Sequence, residues 1–244
     1  MFFNFNNPWI IGIMILLIIE NLQYYFSTPG AFLNLILSVP AILIAITFHE
    51  YAHAFAADKL GDDTPRREGR LTLNPLAHLD PVGSILLLFA GFGWGKPVRI
   101  NAINFNRKVS IKKGNAIVAI AGPAMNFILA IVFSIVYGLL IAHAKGFLLT
   151  QVGSIVGTII SCTIFMNVGL GVFNLIPLPP LDGSKILTAF LPENAKRWYE
   201  NNEKILYIVF MVIWITPIAS HIISPIISAI DNGLINLIMS IAGM

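Results

Sequence analysis

Charge is what this sequence has least of. Only 11% of its 244 residues are Asp, Glu, Lys or Arg, against roughly a quarter in an ordinary soluble domain, so there is too little polar side chain to clothe a water-soluble surface. Cysteine is almost missing as well: Cys162 stands alone inside an apolar run, which excludes an internal disulfide and any thiolate zinc cluster. A metal bound here must therefore use His and carboxylates. The opening MFFNFNNPW holds no Lys or Arg, so the first apolar stretch lacks the basic start and small-residue cleavage site of a secretory signal and reads as a retained membrane helix. Internal repeats, low-complexity tracts and a sizeable soluble domain are absent too. The expectation is a single membrane-embedded domain over 1–244, with a core at about 33–190 and peripheral helices at 8–26 and 204–243.

What is present is apolar length. Hydrophobic residues make up 57% of the chain and mean hydropathy is +0.80. Long apolar segments fall at about 8–26, 33–57, 114–143, 151–178 and 204–218, with a further stretch at 219–243 interrupted by Pro225 and carrying Asp231. A helix needs about 20 apolar residues to cross the hydrocarbon core, so the fold class expected is an all-α polytopic membrane protein with five to six transmembrane helices. Between the second and third segments, SILLLFAGF (84–92) is too short to span and should enter and return, or form part of a helix. GWGKPVRIN (93–101) alternates and contains Gly and Pro, which predicts a small membrane-associated β-hairpin or sheet element. A pI near 9.0 could suggest nucleic acid, but fourteen of the fifteen basic residues sit in three loops and only Lys145 lies in the remaining one. The positive-inside rule puts the three rich loops in the cytoplasm and the 144–150 turn outside, so no basic patch is left for nucleic acid.

The chemistry-bearing residues are few. HEYAH ends a hydrophobic helix and places His49 and His53 one turn apart on one face, where two imidazoles can reach one ion. Glu50 is rotated to a neighbouring position, from which a carboxylate can take a proton from water without being a ligand. Ionisable residues inside a span cost on the order of 2.5–3.5 kcal/mol each at the helix centre, so they are functional candidates by default. A third ligand must come from elsewhere. Asp182 in NLIPLPPLDG (174–183) is the best candidate, because the topology brings it to the same side as HEYAH and its prolines prevent a regular helix from continuing.

HEYAH followed some 130 residues later by NLIPLPPLDG resembles the two-part signature of site-2 proteases. LNPLAHLDPVGS (73–84), GWGKPVRIN and AGPAMN (121–126) are similar in order and spacing to prokaryotic members, so the likeness covers roughly residues 35–190. It implies one zinc ion held by His49, His53 and Asp182, with Glu50 as general base and acid in an endopeptidase that cuts transmembrane segments of other proteins. The expected location is the plasma membrane, and the charge split puts the active site towards the cytoplasm. The chain leaves no room for the PDZ or CBS domains of larger members. Asn126 in AGPAMN corresponds to a family asparagine near the zinc, where its amide could stabilise an oxyanion; the alternative is an interhelical hydrogen bond.

His78 and Asp80 read as a polar loop held by local hydrogen bonds, and His143 and His221 as interfacial or packing residues. Two rival readings are a metal transporter using the same His and Asp residues, which calls for an exit path and commonly repeated halves, and an inactive membrane scaffold. Partners expected are the lipid bilayer and transmembrane substrates, with no nucleic acid; oligomeric state is left open.

Overall fold

The computed structural model describes residues 18–19, 21–90, 94–216 and 218–244. The longest helices are α1 (Ala31–Lys59), α3 (Ile111–His143), α4 (Gln151–Asn174) and α8 (Ile218–Ala242). Shorter ones are α2 (Pro81–Ala90), α5 (Asp182–Phe190), α6 (Glu193–Asn201) and α7 (Glu203–Ile215). Ser110 caps α3 by accepting from Lys113 N, and Thr150 caps α4 by accepting from Gly153 N, so each helix begins where a hydroxyl satisfies an otherwise unpaired donor.

Packing follows from small residues at helical spacing. On α3, Gly114, Val118, Gly122, Asn126, Ala130, Ser134 and Gly138 recur every fourth residue and all are buried. Facing it, α1 buries Ala41, Ala45, Ala52 and Ala57, and α4 buries Gly153, Gly157 and Gly171. In lipid the apolar effect gives helices little reason to associate, so close backbone approach and polar contacts must do so. Helix α3 is the hub, packed on α1, α4, α5 and α8. Ala130, Ile160, Ile164, Val168, Val172, Leu234 and Ile238 form a core joining α3, α4 and α8. Large apolar side chains such as Ile128, Ile131 and Val132 point outward, where hydrocarbon would receive them.

Two expectations are corrected. Among the described residues, four helices are long and apolar enough to cross a membrane, and the 204–218 segment counted towards the expected five to six is not one of them. The 204–218 segment gives the 13-residue α7, roughly 20 Å long at 1.5 Å per residue and so too short to span. The 219–243 stretch is one helix running through Pro225. The 8–26 segment lies largely outside the described residues. The second correction is that no strand or sheet is present among the described residues, and the expected β-hairpin at 93–101 is absent. Residues 94–101 form no strand, and their one ladder contact is a single isolated bridge between Leu79 and Gly95. The reason is where the backbone groups go. Pro97 has no N–H to donate, the carbonyls of Lys96 and Pro97 are taken by the Arg70 guanidinium, and the amides of Val98 and Asn101 donate to Glu50 and Asp62. Side chains have used the groups that a second strand would need. The SILLLFAGF segment contributes to α2, whose ten residues reach about 15 Å and cannot cross the bilayer.

Candidate metal centre

The buried stripe of α1, through Ile42, Ala45 and Ile46, continues directly into His49 and His53, so the packing that holds α1 against α3 also buries both imidazoles. His49 Nε2 and His53 Nε2 are 3.1 Å apart, and Asp182 Oδ2 lies 3.2 Å from the first and 2.9 Å from the second. Hydrogen bonds on the far side of each ring fix its tautomer. His53 Nδ1 is 2.7 Å from Val118 O, a pure acceptor, so Nδ1 carries the hydrogen. Asn126 Nδ2 donates to Ala45 O at 3.1 Å and to Asn167 Oδ1 at 2.8 Å, which turns its Oδ1 towards His49 Nδ1 at 2.7 Å. That nitrogen is therefore also protonated. Both Nε2 atoms then present lone pairs to each other and to a carboxylate oxygen, three acceptors with no hydrogen to share. Such a donor set fits a cation at its centre, and two imidazoles with one carboxylate suit zinc.

Room for the ion is built into α3. A methyl group on Gly122 would lie 2.4 Å from His53 Nε2 and 2.7 Å from His49 Cε1, so any side chain there would occupy the space the ligands surround. Asp182 arrives from the other direction. After α4 ends at Asn174, residues 175–181 turn back and α5 begins at Asp182 itself. Gly183 allows that return, since a Cβ would fall 2.3 Å from Ile176 O. Lys185 Nζ lies 3.1 Å from Asp182 Oδ1, which leaves Oδ2 as the oxygen turned to the two imidazoles.

His49, His53 and Asp182 form a ligand cluster whose donor atoms lie within 4.8 Å of one another. Glu50 stands beside it and turns to the 94–101 segment, its Oε2 accepting from Val98 N at 3.2 Å. Both amide hydrogens of Asn126 are engaged and its oxygen faces His49. His78 and Asp80 are not in the cluster: His78 Nε2 contacts Thr72 O at 2.8 Å and Asp80 Oδ1 accepts from Gly83 N at 2.9 Å. His143 and His221 are not in it either. Sequence reasoning passed over Gly122, Val118 and Asn167. The available signal for Gly122 was a glycine inside an apolar helix four residues before Asn126, where propensity alone disfavours it.

A family profile described as Peptidase family M50 matches residues 106–217. YwhC of Bacillus subtilis, described as a candidate zinc metalloprotease, is 39% identical over 204 residues, covering 83% of this chain and 91% of that protein. Rip2 of Mycolicibacterium smegmatis, described in the same way, is 30% identical over 185 residues, covering 75% and 68%. MJ0611 of Methanocaldococcus jannaschii, again so described, is 31% identical over 170 residues, covering 68% and 77%. No solved structure gives a significant match. A likeness that runs through most of both chains, around a buried two-histidine, one-aspartate cluster, places this multi-pass membrane protein in peptidase family M50: it is a zinc metalloendopeptidase of the site-2 type.

Proposed function

We propose that this enzyme cuts transmembrane segments of other membrane proteins, as in regulated intramembrane proteolysis, with the active site towards the cytoplasm of the plasma membrane. The observation that carries the reading is the convergence of His49, His53 and Asp182 within 4.8 Å among helices of membrane-spanning length, with a glutamate next to the cluster. In this reading the three residues hold zinc and leave a position open for water and substrate. Zinc, when bound, supplies Lewis acidity that polarises a carbonyl and lowers the pKa of water towards about 7. Glu50 takes the proton of the attacking water and returns it to the leaving amine. Asn126 is best read as the group that orients His49, since its amide hydrogens are spent on Ala45 O and Asn167 Oδ1; an outer partner of this kind sets ligand tautomer and basicity. The stripe of small residues that brings α1, α3 and α4 together keeps lipid from the cluster, and the catalytic unit in this reading is a single domain. A charge split of fourteen basic residues to one supports the cytoplasmic orientation.

The test is cleavage of a model transmembrane peptide by the purified protein in detergent, with and without a zinc chelator, beside Glu50→Gln. Zinc-dependent cleavage is expected, with the mutant retaining one zinc per chain and losing turnover. Hydrolysis that survives in Glu50→Gln would remove Glu50 as the base. Cleavage of water-soluble peptides in preference to membrane-spanning ones would remove the substrate class.

A further inference from the structure

Two buried charges lie outside the metal centre and, among the described residues, have no oppositely charged side chain within ion-pair distance. Arg70 is 4% exposed and Asp62 is fully buried. Burying a charge is costly unless hydrogen bonds replace water, so where those bonds go is informative. Arg70 donates to Ala77 O and Lys96 O, and to Pro97 O at 2.8 Å. Asp62 accepts from Asn101 N at 2.6 Å and Asn104 Nδ2 at 3.0 Å, as well as from Thr64 N and Oγ1. Both charges thus hold one segment, Arg70 at 96–97 and Asp62 at 101–104. Between the two fixed points lies Val98, whose amide donates to Glu50 Oε2 at 3.2 Å. Lys96 N adds a bond to His78 O at 2.7 Å, so the segment's near end is tied on both sides. Displacing Pro97 displaces its neighbour's amide directly, because the joining peptide is planar.

We infer that Arg70 is a positioning residue for proteolysis: it fixes the 96–98 backbone so that the Val98 amide holds the Glu50 carboxylate in one orientation, with Asp62 fixing the far end of the segment. The inference rests on Glu50 being the base, as proposed above. A planar fork is required. Arg70 bridges carbonyls from two loops, Ala77 in one and Lys96 and Pro97 in the other, whereas an ammonium is a single point charge on a flexible stem.

The experiment uses the zinc-loaded full chain in detergent with a transmembrane peptide substrate. It compares Arg70→Met and Arg70→Lys with wild type and Glu50→Gln. Readouts are kcat, KM, zinc per chain and amide hydrogen exchange of the 94–101 peptide. Arg70→Met is expected to lower kcat by about 10–100-fold, the range for outer-shell partners. KM should change by less than about 3-fold, the pattern of an interaction used mainly in the transition state. Zinc content should be unchanged and exchange at 94–101 raised. Arg70→Lys should resemble Arg70→Met more than wild type. Wild-type kcat despite raised exchange would overturn the inference, since the segment would then not position the base. Zinc loss in proportion to activity would make Arg70 merely structural, and unchanged exchange would show that it does not hold the segment. Full activity in Arg70→Lys would overturn the bridging argument. If Arg70→Met does not fold, Arg70→Lys is judged on the same readings. An active Glu50→Gln would defeat the base assignment itself, whereas an inactive Glu50→Gln beside a fully active Arg70→Met defeats only the positioning role.

Discussion

Gly122→Ala adds one methyl group at the point where the two imidazoles converge. By helix propensity alone the change should help, because Ala is favoured over Gly by about 0.8–1.0 kcal/mol in a helix interior. Its position reverses the sign. The methyl carbon would sit 2.4 Å from His53 Nε2, 2.6 Å from His53 Cε1 and 2.7 Å from His49 Cε1, roughly 1 Å inside the contact distance of about 3.5 Å for unbonded heavy atoms. Two rings on α1 must yield, or α1 and α3 must part. Metal–ligand distances in a well-formed zinc site fall within about 0.2 Å of their standard values, so ring movement several times larger should raise the zinc dissociation constant by about 100-fold or more, equivalent to about 2.7 kcal/mol. The assay is zinc titration of purified protein against a competing chelating indicator, with helicity followed by circular dichroism. Gly138→Ala provides a steric control. Its methyl would lie 2.9 Å from Ile241 Cβ, so it should disturb the α3–α8 contact and leave zinc affinity unchanged. Gly169→Ala meets nothing within 4 Å and should be neutral for both. Wild-type zinc affinity in Gly122→Ala would refute the claim that this glycine makes room for the ion.

Asp182→Ala should reduce zinc occupancy, whereas Asp80→Ala should not, because Asp80 Oδ1 accepts from Gly83 N at the start of α2; equal zinc loss from both, by elemental analysis, would contradict the ligand set. Asn126→Ala removes the acceptor for His49 Nδ1 and should weaken zinc binding by about 10–100-fold, as outer-shell changes do, measurable in the same indicator titration. Burial pushes Asp62 up, but hydrogen bonds from Thr64, Asn101 and Asn104 outweigh it and leave the group below its ordinary 3.8. A carboxyl depressed in the fold adds stability above its unfolded value and loses it as pH falls through the folded value. Asp62→Asn should therefore be less stable than wild type near neutrality, with the deficit narrowing as pH falls below about 4, as read by thermal melts in detergent. Single-cysteine probes at Arg67, Lys108 and Arg197, in a chain lacking Cys162, should label only from the cytoplasmic side and one at Lys145 only from outside; external labelling at Arg67 would invert the orientation.

Much of the site could be read directly because it is local. His49 and His53 share a helix face by their spacing alone, and a chain with one cysteine leaves imidazole and carboxylate as ligands. Length and hydropathy identified α1, α3 and α4 as spans for the same reason, since helical rise is fixed per residue. What the sequence could not determine depends on partners far along the chain. GWGKPVRIN alternates like a strand, but a strand also needs a neighbour with unspent donors and acceptors. Here those groups go to Arg70, Glu50 and Asp62, 26 to 48 residues away. The 204–218 segment is apolar enough to suggest a crossing, yet its helix stops at Ile215. The tautomers of both histidines were set by Val118 O and Asn126, and the need for Gly122 by the approach of α1 to α3. Periodicity records which face of an element is apolar. Only the packed structure decides what that face meets, and whether a backbone hydrogen bond pairs with another strand or with a buried side chain.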